Sequence, residues 1–184
     1  MNHERRKKNI PYISIFIPIY NKQDYIGRTI SLLLNQTLKN IEIIAINDCS
    51  NDKSYEILKS YYLKDERIKI INNPKKFGVL YSRSMGVIHS TGEYLIDLDA
   101  DDQFKDFDSL EYLYYKAKRS KADIVFFSFL VKSEMKIYNG CNKFNRIIRQ
   151  PKLFQSYFKM KNTIAGGVVW NKLIKRKIYL KAYK

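Results

Sequence analysis

Several kinds of site are excluded by what the chain lacks. Two cysteines, Cys49 and Cys141, stand far apart among 184 residues. They suit neither a disulfide framework nor a zinc site and read as ordinary reduced thiols. Two histidines, His3 and His89, are too few for a histidine-rich metal centre. None of the seven glycines belongs to a Gly-x-Gly-x-x-Gly run after a strand or to a Gly-Lys-Ser/Thr loop. Dinucleotide and Walker-type phosphate loops therefore fall away, and Gly166–Gly167 reads as an isolated turn. No apolar run approaches the roughly 18 residues of a membrane span. The basic start, MNHERRKKNI, leads into no apolar stretch with a small-residue cleavage site. No signal peptide is expected, and the expected compartment is the cytoplasm. Finally, no Asp or Glu follows Glu134.

Charge is correspondingly uneven. Of the net +16, residues 135–184 contribute +13 from 13 Lys/Arg, and residues 1–134 contribute +3 from 21 Lys/Arg and 18 Asp/Glu. A basic end attracts phosphates, nucleic acid or an anionic membrane surface, where it would hold the protein peripherally. A solvated face, or balancing acidic sequence that is missing, accounts for the same counts.

The apolar pattern is that of alternating strands and helices. SIFIPIY (14–20) and IEIIAIND (41–48) are short β-branched runs of the kind that form buried strands. Between them Ile26, Ile30, Leu33 and Leu34 recur at helical spacing, with Asp24 as the expected N-cap. Ile57, Leu58, Tyr61 and Tyr62 mark a second helix, RIKIINN a third strand, and Leu80, Val87 and Ile88 a helix stopped by Gly92. EYLIDLD is a fourth strand, Leu110 to Ala117 a fourth helix, and DIVFFSFLV (123–131) a fifth strand. Beyond it the expected elements are a strand at 134–138, a helix near 152–160 and a helical turn near 170–177. Such alternation predicts an α/β fold with a mainly parallel sheet.

In open α/β sheets, ligands bind at the carboxyl ends of strands. Three such ends are polar here: Pro18, Tyr20 and Asn21; Asn47 and Asp48; and Asp99, Asp101 and Asp102. Carboxylates two residues apart beyond a strand can aim oxygens at Mg²⁺ or Mn²⁺, which take one or two carboxylates plus substrate phosphates. The alternative is that Asp101, Asp102 and Asp106 cap the next helix.

These elements carry a family resemblance. The Pro-x-Tyr-Asn strand end (Pro18 to Asn21), the x-Asp-x-Ser-x-Asp turn (Asn47 to Asp52), Arg83 in the third helix, Gly92-Glu93-Tyr94, and the Asp-x-Asp-Asp strand end (Asp99 to Asp102) follow in order. Over about residues 12–131 the chain resembles the nucleotide-binding half of glycosyltransferase family 2, and VVWNKLIKRKIY (168–179) resembles a later segment. The resemblance implies a GT-A fold, a Rossmann-like three-layer sandwich. It divides the chain into a basic tail (1–11), a nucleotide-sugar-binding domain (12–131) and an incomplete acceptor-side segment (132–184).

The same resemblance implies a function: inverting, metal-dependent transfer of a sugar from a nucleoside diphosphate, UDP above all, to a hydroxyl on a glycan, lipid-linked or protein acceptor. Pro18 and Tyr20 would flank the nucleotide, and Asp48 would accept a hydrogen bond from the base. Arg83 would lie near base or phosphates. Asp99 would touch ribose or the metal shell, and Asp101 would hold Mn²⁺ or Mg²⁺. Asp102 would support the turn or face the acceptor, and Trp170 and Lys172 would border the acceptor side. Two departures stand out. Asp97, where the family has an apolar or neutral residue, reads as an exposed strand carboxylate. The usual general base, an acid beyond the Trp-x-Lys segment, has no counterpart, as a cut before an acidic lobe would leave it; Asp102 is then the first substitute. The rivals are a degenerate relative that binds nucleotide without transfer, and a basic polyanion-binding module, although no RNA-recognition pattern is present and no specific nucleic acid is expected.

Overall fold

Burial on both faces explains the two longest apolar runs. In the computed structural model, which describes residues 10–127, 129–131, 136–138 and 171–182, strands β1 (Ile13–Ile19) and β2 (Ile41–Asn47) lie at the centre of a six-stranded sheet. Helices α1 (Gln23–Leu34), α2 (Ser54–Tyr62) and α4 (Ser109–Ser120) cover one face, and α3 (Val79–His89) and α5 (Arg176–Ala182) cover the other. The sheet order is β3 (Ile68–Asn72), β2, β1, β4 (Tyr94–Asp97), β8 (Lys172–Lys175), β5 (Ile124–Phe126). The first four strands run parallel, and β8 is antiparallel to both its neighbours. A separate antiparallel pair joins β6 (Phe129–Val131) to β7 (Lys136–Tyr138). This is the α/β, mainly parallel GT-A architecture.

Strand parity sorts the core. Ile13, Ile15, Ile17 and Ile19 pack with Ile26, Ile30 and Leu33 of α1, whereas Phe16, Ile44, Ile46 and Leu95 pack with Val87 of α3. The second layer is tight at one point. A Cβ on Gly86 would lie 2.6 Å from the Phe16 ring, so glycine lets α3 settle directly onto β1. Arg83, one turn earlier, is thereby lowered onto the end of β4.

Some elements differ from their expected form. Lys22, not Asp24, holds the α1 cap position, because the orphan N–H groups there are met from another loop: Lys22 N–H donates to Ser54 Oγ at 2.8 Å and Gln23 N–H to Asp52 Oδ2 at 3.0 Å. Helix α3 ends at His89, and Gly92 instead donates its N–H to Ser14 Oγ. The run 123–131 divides, because β5 joins the main sheet through β8 while β6 pairs with β7. Residues 172–175 form a strand rather than a helical turn: Leu173 is fully buried between β4 and β5, which outweighs the helical look of the flanking lysines. Residues 136–138 form the expected strand. The helix near 152–160, Gly166–Gly167, Cys141 and Trp170 lie outside the described residues.

Candidate functional site

The chain runs β1 to β2 to β3 outward on one side of β1, then returns to place β4 on the other. That reversal is the topological switch point, where the loops leaving β1 and β4 diverge and open a crevice. A cavity of about 500 Å³ lies there, and Pro18, Tyr20, Lys22, Asp48, Lys76, Gly78, Ser82, Arg83, Asp99 and Asp101 line it. The predicted Pro18, Tyr20, Asp48, Arg83, Asp99 and Asp101 are therefore brought together, whereas Asp102 is not among the lining residues. Another depression, about 390 Å³ and more open, lies on α4 against Tyr112, Tyr115 and Arg119, away from the strand ends.

The motif residues that do not line the cavity hold its walls. Asn21, in the left-handed region (φ 51°), accepts from Asn51 N–H at 3.0 Å and donates its own N–H to Ser50 Oγ at 3.1 Å. Asp52 bonds Gln23 N–H and Ser54 N–H. Burial opposes its ionisation, but these bonds outweigh burial and hold its carboxyl below the usual range. The Pro-x-Tyr-Asn and Asp-x-Ser-x-Asp segments are thus laced to one another. On the opposite wall Thr29 Oγ1 donates to the carbonyl of Ala100 at 2.8 Å and ties the acidic turn to α1.

Asp48 is buried (3% exposed) at the cavity's inner end. Its Oδ1 accepts from Asn73 Nδ2 at 2.7 Å and Phe77 N–H at 2.9 Å, and its Oδ2 accepts from Gly78 N–H at 2.7 Å. Burial works against its charge, yet these donors and the Lys76 ammonium prevail and lower its pKa. A carboxylate offers about four acceptor sites, so three bonds leave room for one more partner. Asp48 also pins the β3–α3 loop, at the glycine whose φ of +92° an L side chain rarely adopts. Nearby, the Lys76 ammonium stands 3.7 Å from the centre of the Tyr20 ring.

The acidic side is built of ion pairs. Asp97 is 2% exposed, not the exposed strand carboxylate expected, because alternation along β4 turns it with Leu95 toward α3. Arg83 Nε lies 2.7 Å from Asp97 Oδ2 and its Nη2 2.8 Å from Asp99 Oδ1. The first contact is an ion pair without a well-directed hydrogen bond, and neither Asp97 oxygen has a hydrogen-bond partner among the described residues. Burial, reinforced by the Asp99 charge and opposed by Arg83, pushes Asp97 up to about 7. Asp102 is pushed up to about 6 by burial and by the charges of Asp99 and Asp101. Lys172 is buried in β8, and burial pulls it down to about 8 against the attraction of Asp97. The ammonium of Lys22 lies 2.6 Å from Asp101 Oδ2. Lys22 and Lys76 were not singled out in the sequence; each is one lysine among many, and only folding brings them to the cavity.

Among the described residues no group of three or more His, Cys, Asp or Glu side chains is placed to hold a metal ion. Two carboxylates in one turn, with ammonium and guanidinium groups already drawn to them, are nevertheless a fitting donor set for Mg²⁺ or Mn²⁺ whose remaining ligands are phosphate oxygens and water.

The sequence profile of Glycosyl transferase family 2 matches residues 14–181. The chain belongs to that family. Among its relatives, glycosyltransferase GlyG of Streptococcus pneumoniae serotype 4 is 35% identical over 61% of this chain and 37% of its own length. The cholesterol galactosyltransferase of Borreliella burgdorferi is 35% identical over 92% of this chain and 49% of its own. S. aureus TarS 1–349, solved in complex with UDP, superposes with a TM-score of 0.69 at 18% identity over 93% of this chain and 48% of its own. The mannosyltransferase PcManGT from Pyrobaculum calidifontis, solved with GDP-Man and Mn²⁺, gives 0.60 at 15% identity over 70% of this chain and 38% of its own. This member of the family thus spans no more than half the length of these relatives. Among the described residues no helix is long and apolar enough to cross a membrane.

Proposed function

We propose that the switch-point cavity binds a nucleoside diphosphate sugar, with UDP as the nucleotide, for transfer of the sugar to a hydroxyl. One observation carries this: a nucleotide-sized cavity with Tyr20 and Asp48 on one wall and the Asp99–Asp101 turn on the other. In this reading Pro18 and the Tyr20 ring flank the base, Asp48 accepts a base N–H with its remaining lone pair, and Arg83 faces the phosphates. Asp101, with Asp99, would hold Mn²⁺ or Mg²⁺, which when bound neutralises the diphosphate as it leaves. UDP is favoured over GDP because TarS has been solved with UDP and with UDP-GlcNAc, although PcManGT carries GDP-Man.

Transfer would be a single displacement. The acceptor oxygen bonds to the anomeric carbon, the bond from that carbon to the diphosphate oxygen breaks, and the configuration inverts. A positioned base contributes about 10²–10⁴-fold. Asp102, which adjoins Asp101 in the acidic turn although it does not line the cavity, is the carboxylate proposed for that role. The acceptor would be a glycan, lipid-linked or protein hydroxyl, with residues 132–184 on its side, and the basic end would favour an acceptor at an anionic surface. Calorimetric titration of the full chain in Mn²⁺ with UDP, CDP, GDP and ADP tests the donor assignment. UDP should bind tightest. A purine diphosphate bound equally well would remove the pyrimidine reading, and binding of none would remove the donor site.

A further inference from the structure

Lys22 stands between β1 and α1 on the rim of the cavity. Its ammonium lies 2.6 Å from Asp101 Oδ2, on the carboxylate that the donor reading gives to a divalent cation. The backbone beneath it is fastened at two consecutive N–H groups, to Ser54 Oγ and Asp52 Oδ2. Any movement is therefore left to the side chain, which is 34% exposed and carries its charge on a flexible four-carbon stem. Arg83 differs: 18% exposed, it is held by Asp97 and Asp99 together. Of the two cations on the acidic turn, Lys22 is the one that can leave.

We propose that Lys22 is a movable internal counter-ion. In the nucleotide-free protein it neutralises Asp101 and opposes a divalent cation there. When the cation enters with the diphosphate, the ammonium passes from Asp101 to the phosphate oxygens. The inference rests on the donor-site reading. Its physical basis is charge: a monovalent and a divalent cation repel one another at a single carboxylate, whereas an arriving diphosphate supplies new anionic oxygens within the lysine's reach. Each ligand then lifts a cost borne by the other, so nucleotide and metal bind with positive coupling, equal in both directions.

The test compares the full chain with Lys22→Met and Lys22→Arg. Mn²⁺ affinity without nucleotide is read from the free-Mn²⁺ electron paramagnetic resonance signal, and UDP affinity from calorimetry with and without Mn²⁺. Lys22→Met should bind Mn²⁺ about two- to fivefold more tightly, the range set by the strength of an exposed ion pair. It should bind UDP in saturating Mn²⁺ more weakly, so that the factor by which Mn²⁺ tightens UDP shrinks. Lys22→Arg, which keeps the charge, should stay close to wild type. A side chain that merely supports the loop would weaken both ligands together. Unchanged or weaker Mn²⁺ binding by Lys22→Met, or unchanged UDP binding, overturns the proposal. Absence of Mn²⁺-assisted UDP binding by the wild type overturns the metal part of the donor reading and this inference with it, and absence of any UDP binding overturns the donor reading itself.

Discussion

Replacing Asp48 by alanine should destabilise the protein even with no nucleotide present. Three donors would lose their acceptor: the Asn73 amide and the N–H groups of Phe77 and Gly78. A buried donor left without a partner costs about 1–3 kcal/mol. Asn73, 7% exposed, would keep only the long contact of its amide to Ser82 Oγ at 3.4 Å and would bear much of that cost, whereas Phe77, at 40%, borders water that can replace part of its bond. Removing the carboxylate also relieves its own burial, a cost that the three bonds outweigh in the native protein, as its lowered pKa records. The balance is a loss of about 2–4 kcal/mol, or about 5–15 °C in Tm for a chain of this size. Asp48→Asn should lose less, since its carbonyl can still accept while its NH₂ opposes the Gly78 N–H. Thermal and urea unfolding in EDTA, followed by circular dichroism, supplies the comparison. An Asp48→Ala protein within about 0.5 kcal/mol of wild type would show that the loop does not depend on this carboxylate.

Asp97 makes a pH-dependent contribution of opposite sign to that of a salt-bridged surface acid. Its folded pKa of about 7 exceeds the ordinary 3.8, so the native state retains a proton that the unfolded chain has lost, and stability falls as pH rises between these values. Asp97→Asn should flatten that fall, measured as urea midpoints at pH 5 and pH 8; parallel profiles for the two proteins would count against it. Gly86→Ala should drive a methyl into the Phe16 ring and lift α3, with a loss of about 1–3 kcal/mol; a neutral result would mean that α3 shifts freely. The basic end should give adsorption to a polyanion such as heparin that disappears as salt rises, because exposed charges are screened within about 8 Å at physiological ionic strength. A sequence-specific nucleic-acid complex that survives high salt would contradict it.

The parts of this fold visible in the sequence are those decided by local pattern. Ile13–Ile19 and Ile41–Asn47 are isoleucine-rich runs because both faces of each strand are covered, and the acidic turn is visible because its residues adjoin in sequence. Contacts made at long range were not visible. Asp97 could have been placed by alternation, since Leu95 shares its parity, but its resemblance to a surface acid hid the Arg83 pairing 14 positions away. Strand Lys172–Lys175 has only four residues, two of them lysine, and becomes a strand only because β4 and β5 leave a slot between them. Asp48 was legible as a candidate site residue through its motif, but its grip on the β3–α3 loop depends on donors about 25 to 30 residues later. The lysines at the cavity could not be told from the chain's other basic residues until folding set Lys22 beside Asp101 and Lys76 over Tyr20.

The central claim is that the Asp99–Asp101 turn and the nucleotide wall form one donor site joined by a divalent cation. It is tested most directly by the UDP affinity of the full chain in Mn²⁺ and in EDTA, measured by calorimetry for the wild type and for Asp101→Ala. The account predicts tighter binding in Mn²⁺ for the wild type and loss of that difference in Asp101→Ala. Equal affinity with and without Mn²⁺, or a metal effect that survives Asp101→Ala, would contradict it.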